Sequence, residues 1–362
     1  MEPSCFLRFL PLLLLCPAGA PFRICAFNTQ RFAQGKASKA SVMDTLVKIL
    51  SRCDIAVLQE VMDAKGKAVP ALVAALNRYH SSSPYTYLTS PLLGRNNYQE
   101  RYVFIYSLDF ALSCLALLDS VLLWPNPGLC PALLDLELLS CFCQNFHAAV
   151  AITRNRTREQ KTRVLDSYSY EDSHPDRPDV FAREPFIARF SIPNKKLKEL
   201  VLIPQHTMPK AAETEIDALY DVFLSVKERW GTEDMIFLGD FNADCGYVAK
   251  KRWGQIRLRQ DPGFHWLIGD NADTTVRDTT HCAYDRIVVH GERCLAAVVP
   301  GSAQPFNFAK EFGLSEAEAL EISDHYPVEV ELNRAHWRCQ QASPAGLVLL
   351  ALVMLAGSGY GI

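Results

Sequence analysis

The sequence carries almost no net charge, since 37 Lys and Arg residues against 40 Asp and Glu residues leave −3 at pH 7. Such a chain has no bulk electrostatic attraction for nucleic acid. Binding to a polyanion would therefore require a local basic surface or one neutralised by metal. Composition alone gives no indication of a function on DNA or RNA.

A zinc-ligand pattern is also lacking among the 12 cysteines. The close pair Cys141-x-Cys143 has neither a second pair nor histidines at ligand spacing. Two cysteines lie in the N-terminal segment and four in one unusual internal segment. The other six, for which disulfides are the better interpretation, are Cys25, Cys53, Cys245, Cys282, Cys294 and Cys339.

Long apolar runs are confined to the two ends of the chain. Residues 1–20 contain Arg8, an apolar run to Cys16, and Ala18-Gly19-Ala20, a pattern typical of a cleaved signal peptide. A buried first helix is the weaker alternative, because Pro17 and Gly19 would break it. We expect localisation in the secretory pathway: the endoplasmic reticulum lumen, the cell surface or the medium.

The C-terminal segment, residues 334–362, is a polar spacer followed by a short apolar tail with no basic residues after it. A spanning helix normally needs about 20 apolar residues and a positive flank. The tail therefore favours a lipid-anchor (GPI) signal and attachment to a membrane, with a single-pass tail or a soluble chain as alternatives. Candidate attachment residues are Asn333, Ala335 and Ser343.

Between these ends, residues 21–333 are predicted to form one catalytic domain with an α/β fold. Short β-type runs end at Asn28, Glu60 and Asp240. Helical patterns begin at Ser41 and extend from Ala211 to Trp230. Hairpin-like runs fill the middle of the chain, at 102–106, 162–170, 186–191 and 200–205. This order predicts a four-layer α/β sandwich, in which two packed mixed sheets are flanked by helices.

Residues 107–160 do not fit this succession of predicted strands and helices. The segment is rich in leucine, holds four cysteines and shows neither strand alternation nor an amphipathic helix. A long insertion of this kind counts against ordinary folding inside a compact domain. It also carries the N-x-S/T sequon at Asn155, a predicted glycosylation site.

Polar residues at strand ends indicate the chemistry. Asp240-x-Asn242 follows a buried strand, although turn capping is an alternative. His325 follows Asp324, and His206 follows another apolar run, so two imidazoles are available for general acid-base catalysis. Oxygen ligands for Mg²⁺ or Mn²⁺, and groups to hold a phosphate, are predicted at Asn28, Glu60, Asp240, Asn242 and Asp324.

Seven motifs in order resemble the deoxyribonuclease I family, over about residues 22–332 apart from the insertion. They are Phe-Asn (27–28), Leu-Gln-Glu-Val (58–61), Gly-Arg-Asn-Asn-Tyr-Gln-Glu-Arg-Tyr (94–102), Phe-Ala-Arg-Glu-Pro (181–185), Gly-Asp-Phe-Asn-Ala-Asp-Cys (239–245), Cys-Ala-Tyr-Asp-Arg (282–286) and Ser-Asp-His-Tyr-Pro (323–327). The tail and the Asp179 loop are most similar to a membrane-associated member. Phosphatases and sphingomyelinases of the wider superfamily share only some of these motifs.

The resemblance implies an endonuclease that depends on a divalent metal, cuts double-stranded DNA and leaves 5′-phosphate ends. It implies catalytic pairs Glu100–His206 and Asp285–His325, with Glu60 as the main metal ligand. It also implies a Cys245–Cys282 disulfide. DNA contacts are expected at Tyr98, Arg183, Asn242 and Tyr284, and structural Ca²⁺ sites at Asp172, Asp179, Phe181, Glu184 and Asp273.

Three departures from the family qualify this expectation. Met62 stands where the soluble pancreatic member has a minor-groove arginine, so cutting preference should differ. The stretch that contacts actin in that member reads Tyr87-Leu88-Thr89 here, so tight actin binding is not expected. We expect the chain to be a monomer. The insertion follows Glu100, so a catalytically impaired surface protein or variant product is the alternative function.

Overall fold

Two sheets packed face to face form the body of the computed structural model, which describes residues 21–80, 84–95, 98–108, 162–172 and 178–334. The first sheet has the order β11-β12-β1-β2-β4-β3, and the second has the order β5-β6-β7-β8-β10-β9. The strands are β1 (Phe22–Phe32), β2 (Ile55–Val61), β3 (Tyr85–Thr89), β4 (Arg101–Ser107), β5 (Arg163–Ser169), β6 (Phe186–Ser191), β7 (Glu199–Pro204), β8 (Met235–Asp240), β9 (Phe264–Trp266), β10 (Asp285–His290), β11 (Gln304–Pro305) and β12 (Val328–Leu332).

Helices cover the outer face of each sheet. In chain order they are α1 (Gln34–Ala37), α2 (Ala40–Leu50), α3 (Ala68–Tyr79), α4 (Ala212–Trp230), α5 (Arg257–Gln260), α6 (Glu292–Ala297), α7 (Phe308–Phe312) and α8 (Glu316–Ile322), with short 3-10 turns at Pro209–Ala211 and Lys250–Gln255. Among the described residues, no helix has the length and apolar character needed to cross a membrane.

Strand alternation divides the apolar side chains among three cores. On β1, Ile24 and Ala26 face the second sheet, whereas Cys25 and Phe27 pack under α2 and α3. The second sheet buries its other face against α4, for example through Phe237. Because central strands are covered on both sides, they read as continuous apolar runs. The predicted sandwich of two mixed sheets flanked by helices is confirmed.

Parallel pairing brings the chemically interesting strand ends to one edge of the sandwich. Strand β1 runs parallel to β2 in the first sheet, and β7 runs parallel to β8 in the second. Antiparallel neighbours complete each sheet, with β10 paired to β8 so that Asp285 lies opposite Asp240. Carboxyl ends of parallel strands are where α/β proteins assemble their sites.

Two disulfides join elements of the described chain. Cys25 on β1 is bonded to Cys53 just before β2, a pairing that the sequence left open. Cys245 is bonded to Cys282, as the resemblance implied. Their sequence separations of 28 and 37 residues suggest about 3–4 kcal/mol of stabilisation each by loop closure. The expectation of a disulfide was wrong for Cys294, whose thiol is free and buried against β8.

The boundary predicted for the insertion also needs one correction. Ser107 is the last residue of β4 and pairs with Tyr85, because the strand continues past the apolar run. Outside the described residues lie the predicted signal peptide, residues 109–160 of the insertion with Asn155, the apolar C-terminal tail and Cys339.

The contact between the sheets near Asp240 requires a glycine. Gly239 has φ of +132°, and a Cβ there would lie 2.3 Å from Gln59 Nε2 and 2.5 Å from the Gln205 carbonyl oxygen. Both neighbours are fully buried, so neither can withdraw at low cost.

We expect Gly239→Ala to lower the free energy of unfolding by about 3 kcal/mol, through backbone strain and overpacking. Gly246→Ala is the matched control, because a Cβ at Gly246 meets no atom within 4 Å. Urea unfolding of the two variants checks the difference, and equal midpoints would contradict this account.

Candidate active site

His206 follows β7 and forms the first carboxylate-imidazole pair. Its Nδ1 lies 2.7 Å from Glu100 Oε1, at the start of β4. Burial alone would lower the pKa of His206, but the charge of Glu100 and the hydrogen bond outweigh burial and leave that pKa raised. Glu100 thus fixes the ring and favours the tautomer that leaves Nε2 free.

His325 forms the second pair, just before β12. Its Nδ1 lies 2.7 Å from Asp285 Oδ2, at the first residue of β10. Burial opposes the imidazolium form, yet the charges of Asp285 and Asp240 hold the pKa of His325 well above its ordinary value. Both predicted pairs are therefore present in the fold.

The two imidazoles converge on one carboxylate oxygen. Asp240 Oδ2 lies 3.5 Å from His206 Nε2 and 3.6 Å from His325 Nε2. The Asp240 carboxylate is buried, which raises its pKa, but the two histidine charges and hydrogen bonds outweigh burial and lower it. The free nitrogens of both rings thus face the same point from opposite sheets.

Asn28 and Glu60 complete the centre of the site. Asn28 Nδ2 donates to Glu60 Oε1 and to Asp240 Oδ2, each at 3.1 Å. Glu60 Oε1 is 4.0 Å from His206 Nε2. Three residues from three strands thus meet at one spot, as predicted for Asn28, Glu60 and Asp240.

Sheet irregularities aim these side chains. The β1–β2 register shifts between Asn28 and Phe32, and the β2–β4 register shifts between Leu58 and Val61. Glu60 has φ of +54°, a left-handed conformation that is costly for a side chain other than glycine. The strands therefore do not end at Asn28 and Glu60 as the sequence pattern suggested. They bulge there, which turns the side chains toward the site.

Asn242 and Asp324 lie next to the central group of Asn28, Glu60 and Asp240. Asn242 donates its main-chain N–H to Asp240 Oδ1 at 2.9 Å, and its side-chain Nδ2 to the Thr207 carbonyl at 3.1 Å. Asp324 is half-buried, and its charge raises the pKa of the neighbouring His325. Among the described contacts, Asp324 acts on the site through charge, whereas Asn28, Glu60 and Asp240 touch one another.

The predicted DNA-contact residues border the site at different depths. The Tyr98 side chain is 42% exposed, and burial together with the charges of Glu60 and Glu100 raises its pKa. The Tyr284 ring lies 6.2 Å from the His325 ring. Tyr98 thus lies near Glu60, and Tyr284 lies near His325.

Arg183 is buried, and it supports His206 directly. Its Nε donates to the His206 carbonyl at 2.9 Å, and its Nη1 lies 3.7 Å from Glu100 Oε2. In the described part of the chain, Arg183 Nη2 and Glu100 Oε2 have no hydrogen-bond partner although both are buried.

Several supporting residues were not singled out from the sequence. Gln59 Nε2 donates to the Gln205 carbonyl at 2.6 Å, and Gln59 Oε1 accepts the Asp240 N–H at 2.9 Å, so this side chain ties the two sheets together behind the site. Tyr102 accepts the His206 N–H at 2.8 Å. A polar Gln59 inside an apolar run was the available signal.

The first predicted calcium loop forms a cluster of oxygen atoms. The Phe181 N–H donates to Asp172 Oδ2 at 2.8 Å, and the Arg95 guanidinium donates to the carbonyls of Asp179 and Phe181. Arg95 Nη2 is also 3.2 Å from Asp179 Oδ2. Glu184 is half-buried nearby in sequence. Oxygen atoms of the predicted ligands Asp179 and Phe181 thus contact the Arg95 guanidinium.

Asp273, the residue of the second predicted calcium site, is fully engaged with protein donors. Its Oδ1 accepts from Thr275 N and Oγ1, and its Oδ2 lies 2.8 Å from His281 Nδ1. Burial would raise the pKa of Asp273, but these hydrogen bonds and the His281 charge lower it. A cation at Asp273 would share this carboxylate with Thr275 and His281.

The central residues fit a hard divalent cation. Glu60 and Asp240 offer carboxylate oxygens on the two sides of the Asn28 amide. Mg²⁺ prefers such oxygen donors and usually keeps several waters. A grouping of Asp240, Asp285 and His325 also brings ligand atoms within 4.8 Å of one another, but His325 and Asp285 are already bonded to each other.

Comparison with known proteins identifies the relatives of this chain. The endonuclease/exonuclease/phosphatase family model matches residues 25–325. Deoxyribonuclease-1-like 1 of Sus scrofa is 47% identical over 360 residues, which cover 99% of this chain and 96% of that protein. Deoxyribonuclease gamma of Homo sapiens is 39% identical over 322 residues, with 89% of each chain covered.

The chain belongs to the deoxyribonuclease I family. Membership in this branch of the endonuclease/exonuclease/phosphatase family confirms the resemblance seen in the seven motifs. A solved family protein from Leptotrichia buccalis shares the fold, with a TM-score of 0.51 and 13% identity over 86% of this chain and 99% of that chain. Membership in this family accounts for the sandwich of two sheets.

Proposed function

We propose that this chain is an endonuclease that hydrolyses phosphodiester bonds of double-stranded DNA with a divalent metal, leaving 5′-phosphate ends. The observation that carries the proposal is the convergence of His206 Nε2 and His325 Nε2 on one oxygen of Asp240, at 3.5 and 3.6 Å. Two family relatives are named deoxyribonucleases, which supports DNA as the substrate.

The paired imidazoles suit both proton transfers of hydrolysis. One ring accepts a proton from the attacking water, and the other donates a proton to the departing 3′ oxygen. Glu100 and Asp285 hold the Nδ1 atoms at 2.7 Å, so each Nε2 keeps its direction during the reaction. A phosphate seated over Asp240 would lie between the two rings.

Mg²⁺ or Mn²⁺ is the cofactor we propose, held by Glu60 and Asp240 with Asn28 beside them, and with Asn242 and Asp324 around the phosphate. When bound, the metal neutralises the phosphate and the negative charge that develops on it. The carboxylates then no longer repel the DNA. This local neutralisation replaces the bulk positive charge that the chain lacks.

Substrate contacts and further sites complete the proposal. Tyr98, Arg183, Asn242 and Tyr284 are the residues that we propose for contacts with the DNA. Structural Ca²⁺ is proposed at the Asp172–Asp179 loop and at Asp273. A monomeric protein of the secretory pathway, attached to a membrane through its C-terminal tail and without tight actin binding, remains our prediction for its cellular form.

Conversion of supercoiled plasmid to open circles tests the proposal. We expect nicking with Mg²⁺ or Mn²⁺ in the presence of Ca²⁺, none with EDTA, and nicks that DNA ligase seals without prior kinase treatment. The proposal fails if the full chain nicks under none of these conditions, or if it hydrolyses only phosphate monoesters or sphingomyelin.

The alternative, impaired activity caused by the insertion, has its own comparison. Deleting residues 109–161 keeps Ser107 of β4 and the buried Thr162 before β5. Equal nicking rates for the full chain and the deletion variant would exclude interference by the insertion. A large gain on deletion would support the impaired form.

A further inference from the structure

Lys36, in the short helix α1, makes contacts that the proposed mechanism does not use. Its Nζ donates to the main-chain carbonyls of Thr29 at 2.9 Å, Gln30 at 2.7 Å and Ile322 at 2.9 Å. All three N–H donors of the ammonium are thereby used. The first two carbonyls follow Asn28 on β1, and the third precedes the turn that carries Asp324 and His325.

We propose that Lys36 is a positioning residue that holds the Asn28 strand and the Asp324–His325 turn at the spacing catalysis requires. The proposal rests on the proposed nuclease function. Lys36 touches neither substrate nor metal in this scheme. It acts through the main chain of both segments.

The carbonyls at Thr29 and Gln30 lie where β1 departs from regular pairing. Gln30 and Arg31 have φ of +44° and +58°, and the β1–β2 register shifts across this stretch. A bulged strand leaves main-chain groups without ladder partners. Lys36 supplies a charged donor to them, which stabilises a conformation that is otherwise costly.

The third carbonyl belongs to a helix end. Ile322 is the last residue of α8, where carbonyl oxygens lack intrahelical partners and the helix dipole favours a cation. One ammonium thus fastens a strained strand to a helix terminus. Lys36 and Ile322 are 286 residues apart in sequence, so no local sequence pattern predicts this contact.

A second tie shows that the same two segments are held closely. Ser323 Oγ donates to the Asn28 carbonyl at 2.6 Å and accepts the His325 N–H at 3.1 Å. Movement of this turn would change the 3.6 Å separation of His325 Nε2 from Asp240 Oδ2. Misplacement by about 1 Å is enough to cost roughly 10²-fold in rate.

The surroundings keep Lys36 charged at neutral pH although it is largely buried. Burial lowers the pKa of Lys36 to about 8, while the charges of Asp324, Glu60 and Glu321 raise it and that of Lys39 lowers it. A protonated ammonium has three donors for three carbonyls, whereas the neutral amine has two. The positioning contact is therefore complete near pH 7.

Substitution of Lys36 by methionine, with Lys39→Met as the matched control, tests the proposal. Lys39 joins the same region to α8 through Glu321 at 3.1 Å, but both side chains are about half exposed, so the pair should contribute little. In plasmid nicking at pH 7 we expect Lys36→Met to lower kcat about 10–100-fold with KM within about threefold. Lys39→Met should change both by less than about twofold.

Restoring the ammonium separates positioning from a general loss of stability. Alkylation of the Lys36→Cys variant with bromoethylamine rebuilds a lysine-like side chain, and we expect it to recover most of kcat. Should Lys36→Met fail to fold, Lys36→Gln, which keeps two N–H donors, takes its place with the same expectations.

Amide hydrogen exchange of the metal-free proteins is a second test, and it does not depend on nuclease activity. We expect faster exchange at the His325 N–H, which now donates to Ser323 Oγ, in Lys36→Met but not in Lys39→Met. An inactive wild-type chain would overturn the proposed function, but the exchange measurement would still test the role of Lys36. Unchanged kcat, or unchanged exchange in Lys36→Met, would overturn the role of Lys36.

Discussion

His206→Ala and His325→Ala are each expected to lower kcat for plasmid nicking by about 10²–10⁴-fold, because each removes one of the two proton-transfer groups. The Nε2 atoms of both rings face Asp240 Oδ2. KM should change much less than kcat. The measurement is steady-state nicking with saturating Mg²⁺ and Ca²⁺.

His265→Ala is the control for this pair, since His265 is half-buried on β9, an edge strand of the second sheet. It should retain wild-type kcat. Because both histidines are proposed to act in one reaction, the double variant should lose less than the product of the single losses. Wild-type rates in either single variant would show that the imidazoles are not the acid and base.

Asp240→Asn should have a comparable effect, about 10³-fold in kcat, because one carboxylate orients both rings and contributes to the predicted metal site. It has a second consequence in the metal-free protein. Asp240 is a source of the raised pKa of both His206 and His325, so its neutralisation should lower both pKa values. The sign follows from the loss of a negative charge that favours the imidazolium form.

Histidine ring titrations by NMR, together with Mg²⁺ activation curves, check this prediction. Asp166→Asn is the control, because Asp166 lies on the edge strand β5 and bonds to Trp230. It should leave both ring pKa values and the activation curve as in wild type. Unshifted pKa values in Asp240→Asn would mean that the rings do not share this carboxylate.

Much of the fold was predictable because the apolar pattern follows burial. Strands such as Met235–Asp240, buried along their whole length, appear as unbroken apolar runs. Helix α4 begins one residue after the predicted start, at Ala212, and ends at Trp230 as predicted. Its apolar face at helical spacing reflects one-sided contact with the second sheet.

The pairing of residues was not predictable from spacing. Glu100 and His206 are 106 residues apart and lie in different sheets, so only a family resemblance could join them before the structure was known. The same holds for the support from Gln59, which touches Gln205 at a separation of 146 residues. The local sequence marks Gln59 only as a polar residue in an apolar run and does not identify its partner.

The sequence alone determined which chemical groups are present and to which family the chain belongs, because residue types and motif order can be read directly from it. It suggested strands that stop at Asn28 and Glu60. The tertiary structure showed instead that these strands bulge at those points and continue. Left-handed backbone at Glu60, and the convergence of two imidazoles on Asp240, depend on how the two sheets pack. Contacts between distant strands decide that geometry, because hydrophobic periodicity encodes burial and not the direction of a polar side chain at a bulge.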